Sequence, residues 1–428
     1  LGDVYKRQVQ EITEATSYTS TAQTGALIEM NHRVKGQTKY RDYGNDRRYN
    51  TSDDLLTYYT FDYAGRTVNA YTTDNGGKLL GASNAVYSGV GTPDRRNNRT
   101  LKTATVGVSA MNELRNHGFE KSSPAWTLTG ANGTDSNIVT KAMTGSELVR
   151  TGQNACKGWI RPGKSNTISV TRSSEPLAGG KAYTFSAYVN TSQCTSFSGE
   201  GVYLQVTGNG INQKGDYLNY QSSQEVDGGW VRLSVTFIPP EKGTYTVGIY
   251  NNGAGPYFYV DDVQLERGEA PSNVNLVENG DLQYWGVDWT EGPASKYYKG
   301  VGLFEEGEYA HSIRIIGDAY TESCGYQEIP IYQTGKTYVL SGWAKADAVP
   351  DNEEKAEGED AAARDKYKQF GLRAELTYSD NSKEYHYVPF NPDVREWQYA
   401  SLAIVPKKAS TQVKSIRVIC AYERNGNV

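Results

Sequence analysis

The chain has 428 residues and a formal net charge of −5, with acidic and basic residues interspersed along it. There is no large basic field to hold phosphates, so composition argues against a nucleic-acid partner. The length is sufficient for two or three domains. The 33 tyrosines and 45 glycines are typical of short strands joined by tight turns, and we predict an all-β protein.

The first eight residues, LGDVYKRQ, resemble a translated sequencing-adaptor remnant. We interpret residues 1–8 as an artefact, and we expect any export signal of the natural protein to lie outside this fragment. No apolar run is long enough to cross a bilayer, so the sequence predicts no transmembrane segment.

Residues 9–105 are predicted to form β-hairpins. The motif Tyr59-x-Phe61-Asp62-x-x-Gly65-Arg66 precedes a β-type run from position 67 and the turn sequence Asp-Asn-Gly-Gly at positions 74–77. This motif resembles the YD repeat of Rhs-type and wall-associated bacterial proteins. The resemblance implies tandem hairpins that build a β-sheet wall, in a protein exported to the bacterial cell surface or cell wall.

The rest of the chain contains a duplication, which predicts two domains at residues 110–268 and 273–428. Three blocks recur in the same order, and their first members are Asn116, Gly180 and Trp230 in one copy and Asn279, Gly335 and Trp397 in the other. Within each block apolar and polar residues alternate, as a strand with one buried face requires. We predict two tandem antiparallel β-sandwich domains of jelly-roll type.

Both copies resemble jelly-roll carbohydrate-binding modules. The residues that carry the resemblance are the block from Asn116 to Glu120, the block from Gly180 to Tyr183 and the closing strand from Tyr257 to Glu266. The second copy stops at Val428, before a matching closing strand, and we expect it to be truncated with part of its sheet unpaired.

The resemblance also implies a structural calcium ion in the first copy, held by Glu120, Asp261 and Asp262 where the first and last strands meet. Hard oxygen ligands suit calcium. The alternative is that the aspartate caps backbone amides, since a buried carboxylate needs hydrogen bonds if no cation pairs with it.

Sugar-binding residues are predicted from strand parity, because aromatic rings stack on pyranose faces while nearby polar groups bind hydroxyls. The predicted platform consists of Tyr188, Tyr203 and Gln205 in the first copy and Trp343, Arg373 and Glu375 in the second. The alternative is that Tyr188 and Trp343 are covered by a loop or by the adjoining domain. Weaker candidates are Tyr217, Tyr220, Tyr385 and Tyr387, and Trp159 has no assigned place.

Catalytic motifs are missing from the sequence: there is no nucleophile elbow, no HExxH and no paired carboxylate strand of a glycosidase. We therefore predict a non-enzymatic, monomeric fragment whose partner is a cell-wall or environmental polysaccharide. The rival hypothesis is a structural role, in which the domains are spacers or shell parts of a toxin or adhesin and bind no sugar.

Overall fold

The structure is a computed structural model. It describes the backbone of residues 11–15, 37–42, 55–61, 67–74, 79–87 and 99–106, residues 111–346 apart from 123–124, 131–133, 141–146, 162–166, 226, 270, 281, 283, 285, 292–294, 300–310 and 318–322, and residues 369–427 apart from 392–397 and 423–425.

The N-terminal region is a six-stranded antiparallel sheet in which each strand pairs with the next along the chain. Its strands are β1 (Glu11–Ala15), β2 (Gln37–Asp42), β3 (Leu55–Phe61), β4 (Thr67–Asp74), β5 (Leu79–Tyr87) and β6 (Arg99–Val106). The motif from Tyr59 to Arg66 begins in β3 and ends just before β4, and its residues 62–66 lie outside the described part.

In its described residues the first sandwich domain has nine strands. They are β7 (Thr127–Gly130), β8 (Thr134–Thr140), β9 (Asn154–Ile160), β10 (Thr167–Ser173), β11 (Tyr183–Asn190), β12 (Cys194–Gly208), β13 (Ile211–Leu218), β14 (Trp230–Phe237) and β15 (Thr246–Arg267). A short 3-10 turn, Asp227–Gly229, precedes β14.

Strand β15 is long enough to belong to both sheets of this sandwich. Its residues 246–256 pair with β10 and β12, which gives a front sheet in the order β13-β12-β15-β10-β7. Its residues 257–267 pair with β9 and β11, which gives a back sheet in the order β14-β11-β15-β9-β8. Within the second half, Asp262 has a φ of 48° and lies at a β-bulge, where the register with β11 shifts between the pairs Tyr188–Asp261 and Ser186–Gln264.

Alternating residues of the two sheets fill the core between them. On β11 the inward side chains Phe185, Ala187 and Val189 are inaccessible to solvent, and Val202 and Leu204 of β12 meet them from the opposite sheet. Burying one such aliphatic or aromatic side chain contributes about 1.5–3 kcal/mol to folding. The parity read from the sequence is therefore the parity of the core, and the predicted all-β antiparallel class is confirmed.

The second sandwich domain repeats this arrangement. Its strands are β16 (Thr290–Glu291), β17 (Ser295–Lys299), β18 (His311–Gly317), β19 (Ser323–Gln333), β20 (Tyr338–Ala344), β21 (Phe370–Tyr378), β22 (Lys383–Pro389), β23 (Gln398–Ile404), β24 (Val413–Tyr422) and β25 (Gly426–Asn427). One sheet has the order β16-β19-β24-β21-β22, and the others are β17-β18-β25 and the pair β20-β23.

The register of the two domains is the same. Tyr183 faces Phe237 across β11 and β14, and the residues aligned with them, Tyr338 and Ile404, face each other across β20 and β23. In the first domain the second half of β15 lies between β11 and β9. Within the described residues, the corresponding position between β20 and β18 holds only β25, which pairs with β18 at Gly317.

Each domain opens with the same loop. Asn116 has a φ of 56°, and its Oδ1 accepts a hydrogen bond from the backbone amide of Lys121 at 2.9 Å. Nε1 of Trp126 donates to the Asn116 carbonyl at 2.9 Å. In the second domain Asn279 and Trp289 make the equivalent bond at 3.0 Å. Both tryptophans therefore hold their loops in place.

Candidate binding site

The predicted sugar platform of the first domain is divided between two sheets, which corrects the sequence interpretation. Tyr188 lies on β11 in the back sheet, whereas Tyr203 and Gln205 lie on β12 in the front sheet. The short connection at residues 191–193 carries the chain from one sheet to the other, so β11 and β12 are consecutive in sequence but are not paired. Side chains on opposite sheets cannot form one platform.

Tyr188 is also covered. The guanidinium carbon of Arg150 lies 3.5 Å from the centroid of the Tyr188 ring, and that of Arg232 lies 5.5 Å from it. Arg150 is itself held by an ion pair with the fully buried Asp262. The face of Tyr188 that a sugar would use is therefore occupied by a cation in this structure.

The second domain shows the same division between sheets. Trp343 lies on β20 and packs against Tyr399 with ring centroids 5.2 Å apart, while Arg373 and Glu375 lie on β21 in the other sheet. Nε of Arg373 is 3.3 Å from a carboxylate oxygen of Glu375, which also lies 3.8 Å from Arg417. These side chains form a ladder of alternating charges that largely neutralise one another.

A row of three tyrosines crosses the outer face of the front sheet. Tyr217 of β13, Tyr203 of β12 and Tyr250 of β15 are directly opposite one another on adjacent strands. The rings of Tyr203 and Tyr250 are stacked with centroids 5.6 Å apart, and Tyr217 meets Tyr203 edge-on at 5.3 Å. We call these three residues the tyrosine face. Tyr203 is 6% exposed and Tyr217 is 42% exposed. The ring of Tyr217 is therefore open to solvent at the edge of the row, and the central ring of Tyr203 is buried.

Polar side chains border the tyrosine face. Nζ of Lys214 lies 4.6 Å from the Tyr203 ring centroid and 3.3 Å from the carboxylate of Glu200. Both members of this ion pair are about 40% exposed, so water screens it and Lys214 can be displaced at little cost. Gln205, which pairs with Lys214 across β12 and β13, donates a side-chain hydrogen bond to Oδ1 of Asn212 at 2.5 Å. The arrangement combines flat aromatic area with donors and acceptors for hydroxyl groups.

Gly248 makes room for the ring of Tyr250. A Cβ atom on Gly248 would lie 2.6 Å from Cε2 of Tyr250 and 2.9 Å from Cγ2 of Thr171. Burial raises the pKa of Tyr250, and the nearby Tyr203 raises it further, so its phenol keeps the proton that it can donate.

Sequence reasoning found only part of this face. Tyr203 and Gln205 were predicted, and Tyr217 was a weaker candidate. Tyr250 was missed, although Val247 and Ile249 alternate as buried residues and place it on the outer side. The alternation was a usable signal, but the pairing that brings Tyr250 beside Tyr203 joins positions 47 residues apart (250 − 203).

The predicted calcium ligands are Asp261 and Asp262 of β15 and Glu120 of the opening loop, and most of their oxygens already accept hydrogen bonds. Oδ2 of Asp261 accepts the backbone amides of Arg150 at 2.8 Å and Thr151 at 3.2 Å. Oε1 of Glu120 accepts the amides of Gln153 at 2.7 Å and Asn154 at 2.9 Å. Burial raises the pKa of Glu120 to about 6, and burial followed by the charge of Asp262 raises the pKa of Asp261.

The donor set fits a hard cation only in part. No three His, Cys, Asp or Glu side chains of the described residues are arranged to hold a metal ion. One oxygen, Oδ1 of Asp262, is nevertheless buried with no hydrogen-bonding partner. The alternative of amide capping accounts for Asp261, and the capped amides belong to the loop before β9. The calcium ion stays a proposal, supported by the unpaired oxygen of Asp262.

The cysteines are free thiols in this structure. Cys156 and Cys194 are buried, and Cys324 and Cys420 are half-buried. Burial raises the pKa of the Cys194 thiol to about 12, which makes it unreactive at neutral pH. No helix of the described residues has the length and apolar character to cross a membrane.

Curated relatives match most of the chain. It is 24% identical over 381 residues to the tRNA nuclease WapA of Bacillus subtilis strain 168, and 23% identical over 381 residues to the tRNA(Glu)-specific nuclease WapA of Bacillus subtilis subsp. natto. These alignments cover 83% of the chain but 14% of each relative. No family model matches the chain.

These relatives contradict the prediction of a non-enzymatic protein, because they are named as nucleases. They also remove the exclusion of nucleic acid as a partner, since the named substrate is tRNA. The net charge of 428 residues was a poor guide to the partners of a much longer relative, of which the chain matches 14%.

Solved structures of carbohydrate-binding modules are also similar. TmCBM61 in complex with β-1,4-galactotriose is 22% identical, with a TM-score of 0.28 over 37% of this chain and 100% of that chain. The CBM22-1-CBM22-2 tandem domain of Paenibacillus barcinonensis Xyn10C is 17% identical, with a TM-score of 0.26 over 75% of this chain and 92% of that one.

Proposed function

We propose that the first sandwich domain binds polysaccharide through the tyrosine face, as one module of a larger exported protein. The supporting observation is the alignment of Tyr217, Tyr203 and Tyr250 across three adjacent strands. A rigid aromatic row of this kind can stack against successive sugar rings, and Gln205, Asn212 and Lys214 can bind their hydroxyls. The cell-surface location is proposed from the YD-repeat motif at Tyr59–Arg66.

Affinity electrophoresis of the full chain in gels that contain soluble β-1,4-galactan or xylan tests the proposal. We expect retardation by at least one polysaccharide, and we expect Tyr217→Ala to weaken it about tenfold, which corresponds to about 1.4 kcal/mol. Tyr220→Ala is the matched control, because Tyr220 is 56% exposed but lies beyond the end of β13. Migration unchanged by every polysaccharide would favour the structural spacer role instead.

We also infer that the chain belongs to a tRNA-cleaving protein, because the relatives that match most of it are named as tRNA nucleases. Incubation of end-labelled bulk tRNA with the chain measures this activity directly. Cleavage would locate the activity within residues 1–428. If tRNA stays intact while polysaccharide is bound, residues 1–428 would serve polysaccharide recognition and not tRNA cleavage.

A further inference from the structure

A second pair of aromatic residues lies on the outer face of the back sheet. Trp159 of β9 and Tyr257 of β15 are directly opposite each other. Their strand neighbours Gly158 and Phe258 point inward, and a Cβ on Gly158 would lie 2.0 Å from the Phe258 ring. The parity therefore turns Trp159 and Tyr257 outward, and both are half-buried.

The surroundings of this pair are fixed by a buried carboxylate. Glu147 is 8% exposed; one of its oxygens accepts a hydrogen bond from Nζ of Lys157 at 2.9 Å, and the other accepts one from the hydroxyl of Tyr259 at 2.9 Å. Nζ of Lys157 lies 4.2 Å from the Tyr257 ring centroid. The lysine is therefore held beside the aromatic pair before any ligand arrives.

The polar groups leave hydrogen-bonding capacity for a ligand. An ammonium group has three N–H donors, and Glu147 accepts one of those of Lys157. The indole N–H of Trp159 makes no hydrogen bond to the described residues. Its nitrogen is also absent from the buried atoms that have no partner, so it is within reach of solvent. A flat indole and a phenol offer apolar rings against which a sugar ring can stack, and an oriented ammonium can donate to its hydroxyls.

We propose that Trp159, Tyr257 and Lys157 form a second saccharide site. A sugar ring of a polysaccharide stacks on Trp159, and its hydroxyls accept hydrogen bonds from Lys157. The proposal rests on the polysaccharide binding proposed for the tyrosine face. Because the two sites lie on opposite sheets, they face away from each other, and one domain can engage two polysaccharide strands. Its retention by a polymer then exceeds what either site gives alone, since the second contact forms at high effective concentration.

Calorimetric titration of the full chain with galactotriose or xylotriose, whichever polymer retards it, tests the second site. We expect a stoichiometry near two for the unaltered chain and near one for both Trp159→Ala and Tyr217→Ala. Affinity electrophoresis in the polymer should show about tenfold weaker binding for each variant and no retardation for the double variant. Tyr220→Ala is the control in both measurements.

A second variant separates loss of binding from loss of folding. Trp159→Phe keeps an apolar ring in place, and its melting temperature and far-ultraviolet spectrum report whether the sheet is intact. If Trp159→Ala and Trp159→Phe both bind with a stoichiometry of two, the second site does not exist, while the effect of Tyr217→Ala still supports the first. If the unaltered chain binds no polysaccharide, the proposed function fails and this site fails with it.

Discussion

The carboxylate of Glu278, at the start of the second sandwich domain, lies 2.8 Å from Nδ1 of His117 in the first and accepts the backbone amides of Asn116 and His117 at 2.8 and 3.1 Å. The repeat position that carries Glu278 in the second copy carries Arg115 in the first, and Arg115 pairs with Asp288 of the second domain at 2.8 Å. The two copies thus differ in charge where their opening loops meet, so each loop binds the other.

The pairing of Glu278 and His117 makes the joint sensitive to pH. Burial lowers the pKa of His117, but the charge and hydrogen bond of Glu278 together with the charges of Asp262 and Glu120 outweigh burial, and the net shift is upward from 6.5. Burial raises the pKa of Glu278, but the charge and hydrogen bond of His117 together with the backbone hydrogen bond from Asn116 outweigh burial, and the net shift is downward from 4.5. The contribution of His117 to the free energy of unfolding is complete below pH 6.5 and is lost as pH rises through its pKa in the folded state. The glutamate contribution is complete above pH 4.5 and is lost as pH falls through its folded pKa.

We expect Glu278→Gln to destabilise the chain by about 2 kcal/mol near pH 5.5, because the buried loop loses charge-assisted hydrogen bonds. Melting curves at pH 5.5 and 8.5 measure this. The unaltered chain should lose stability between the two values, and the variant should lose less. Glu269→Gln, in the linker before the joint, is a control. Equal pH dependence in all three chains would contradict the assignment to Glu278 and His117.

Gly248→Ala should disturb the tyrosine face without removing a tyrosine. The added Cβ would lie 2.6 Å from the Tyr250 ring, so the ring must move and its stacking on Tyr203 is disturbed. We expect about tenfold weaker retardation by the polysaccharide that retards the unaltered chain. Gly210→Ala provides the comparison, because nothing lies within 4 Å of its added Cβ, although its φ of 82° costs some stability. Unchanged retardation of the Gly248→Ala variant would show that binding does not depend on the stacking of Tyr250 on Tyr203.

Arg150→Met should destabilise the first domain by about 3–5 kcal/mol. It leaves the carboxylate of Asp262 buried without its cation, and an unpaired buried charge is strongly unfavourable. Chemical denaturation measures the change. Adding Asp262→Asn to the variant should recover part of the stability, since the charge is then gone as well. A double variant that is less stable than Arg150→Met would argue against this account.

Calcium should raise the melting temperature if it binds at Oδ1 of Asp262 together with Glu120. Differential scanning calorimetry compares the chain with about 5 mM calcium chloride, which exceeds the dissociation constants of weak extracellular sites, and with excess chelator. We expect a higher melting temperature with calcium, and Glu120→Gln should reduce the difference. Identical curves with calcium and with chelator would remove the metal and leave amide capping as the role of these carboxylates.

The sequence by itself determined which side of strands such as β11 and β12 faces the core, and the duplication determined that the strands would recur in the same register. Both are local properties, because parity follows from alternation and a repeat follows from comparing positions along the chain. The loops that open the domains, built on Asn116 and Asn279, were likewise visible as repeated motifs.

Only the tertiary structure decided which strands are neighbours. Tyr188 and Tyr203 are 15 residues apart (203 − 188) yet lie on different sheets, because the chain crosses between β11 and β12. Tyr250 joins Tyr203 from much farther along the chain, and Arg150 covers Tyr188 because the buried charge of Asp262 holds it there. Strand pairing and the pairing of buried charges are long-range choices that depend on the whole fold. For that reason the proposed site is the tyrosine face and not the predicted platform.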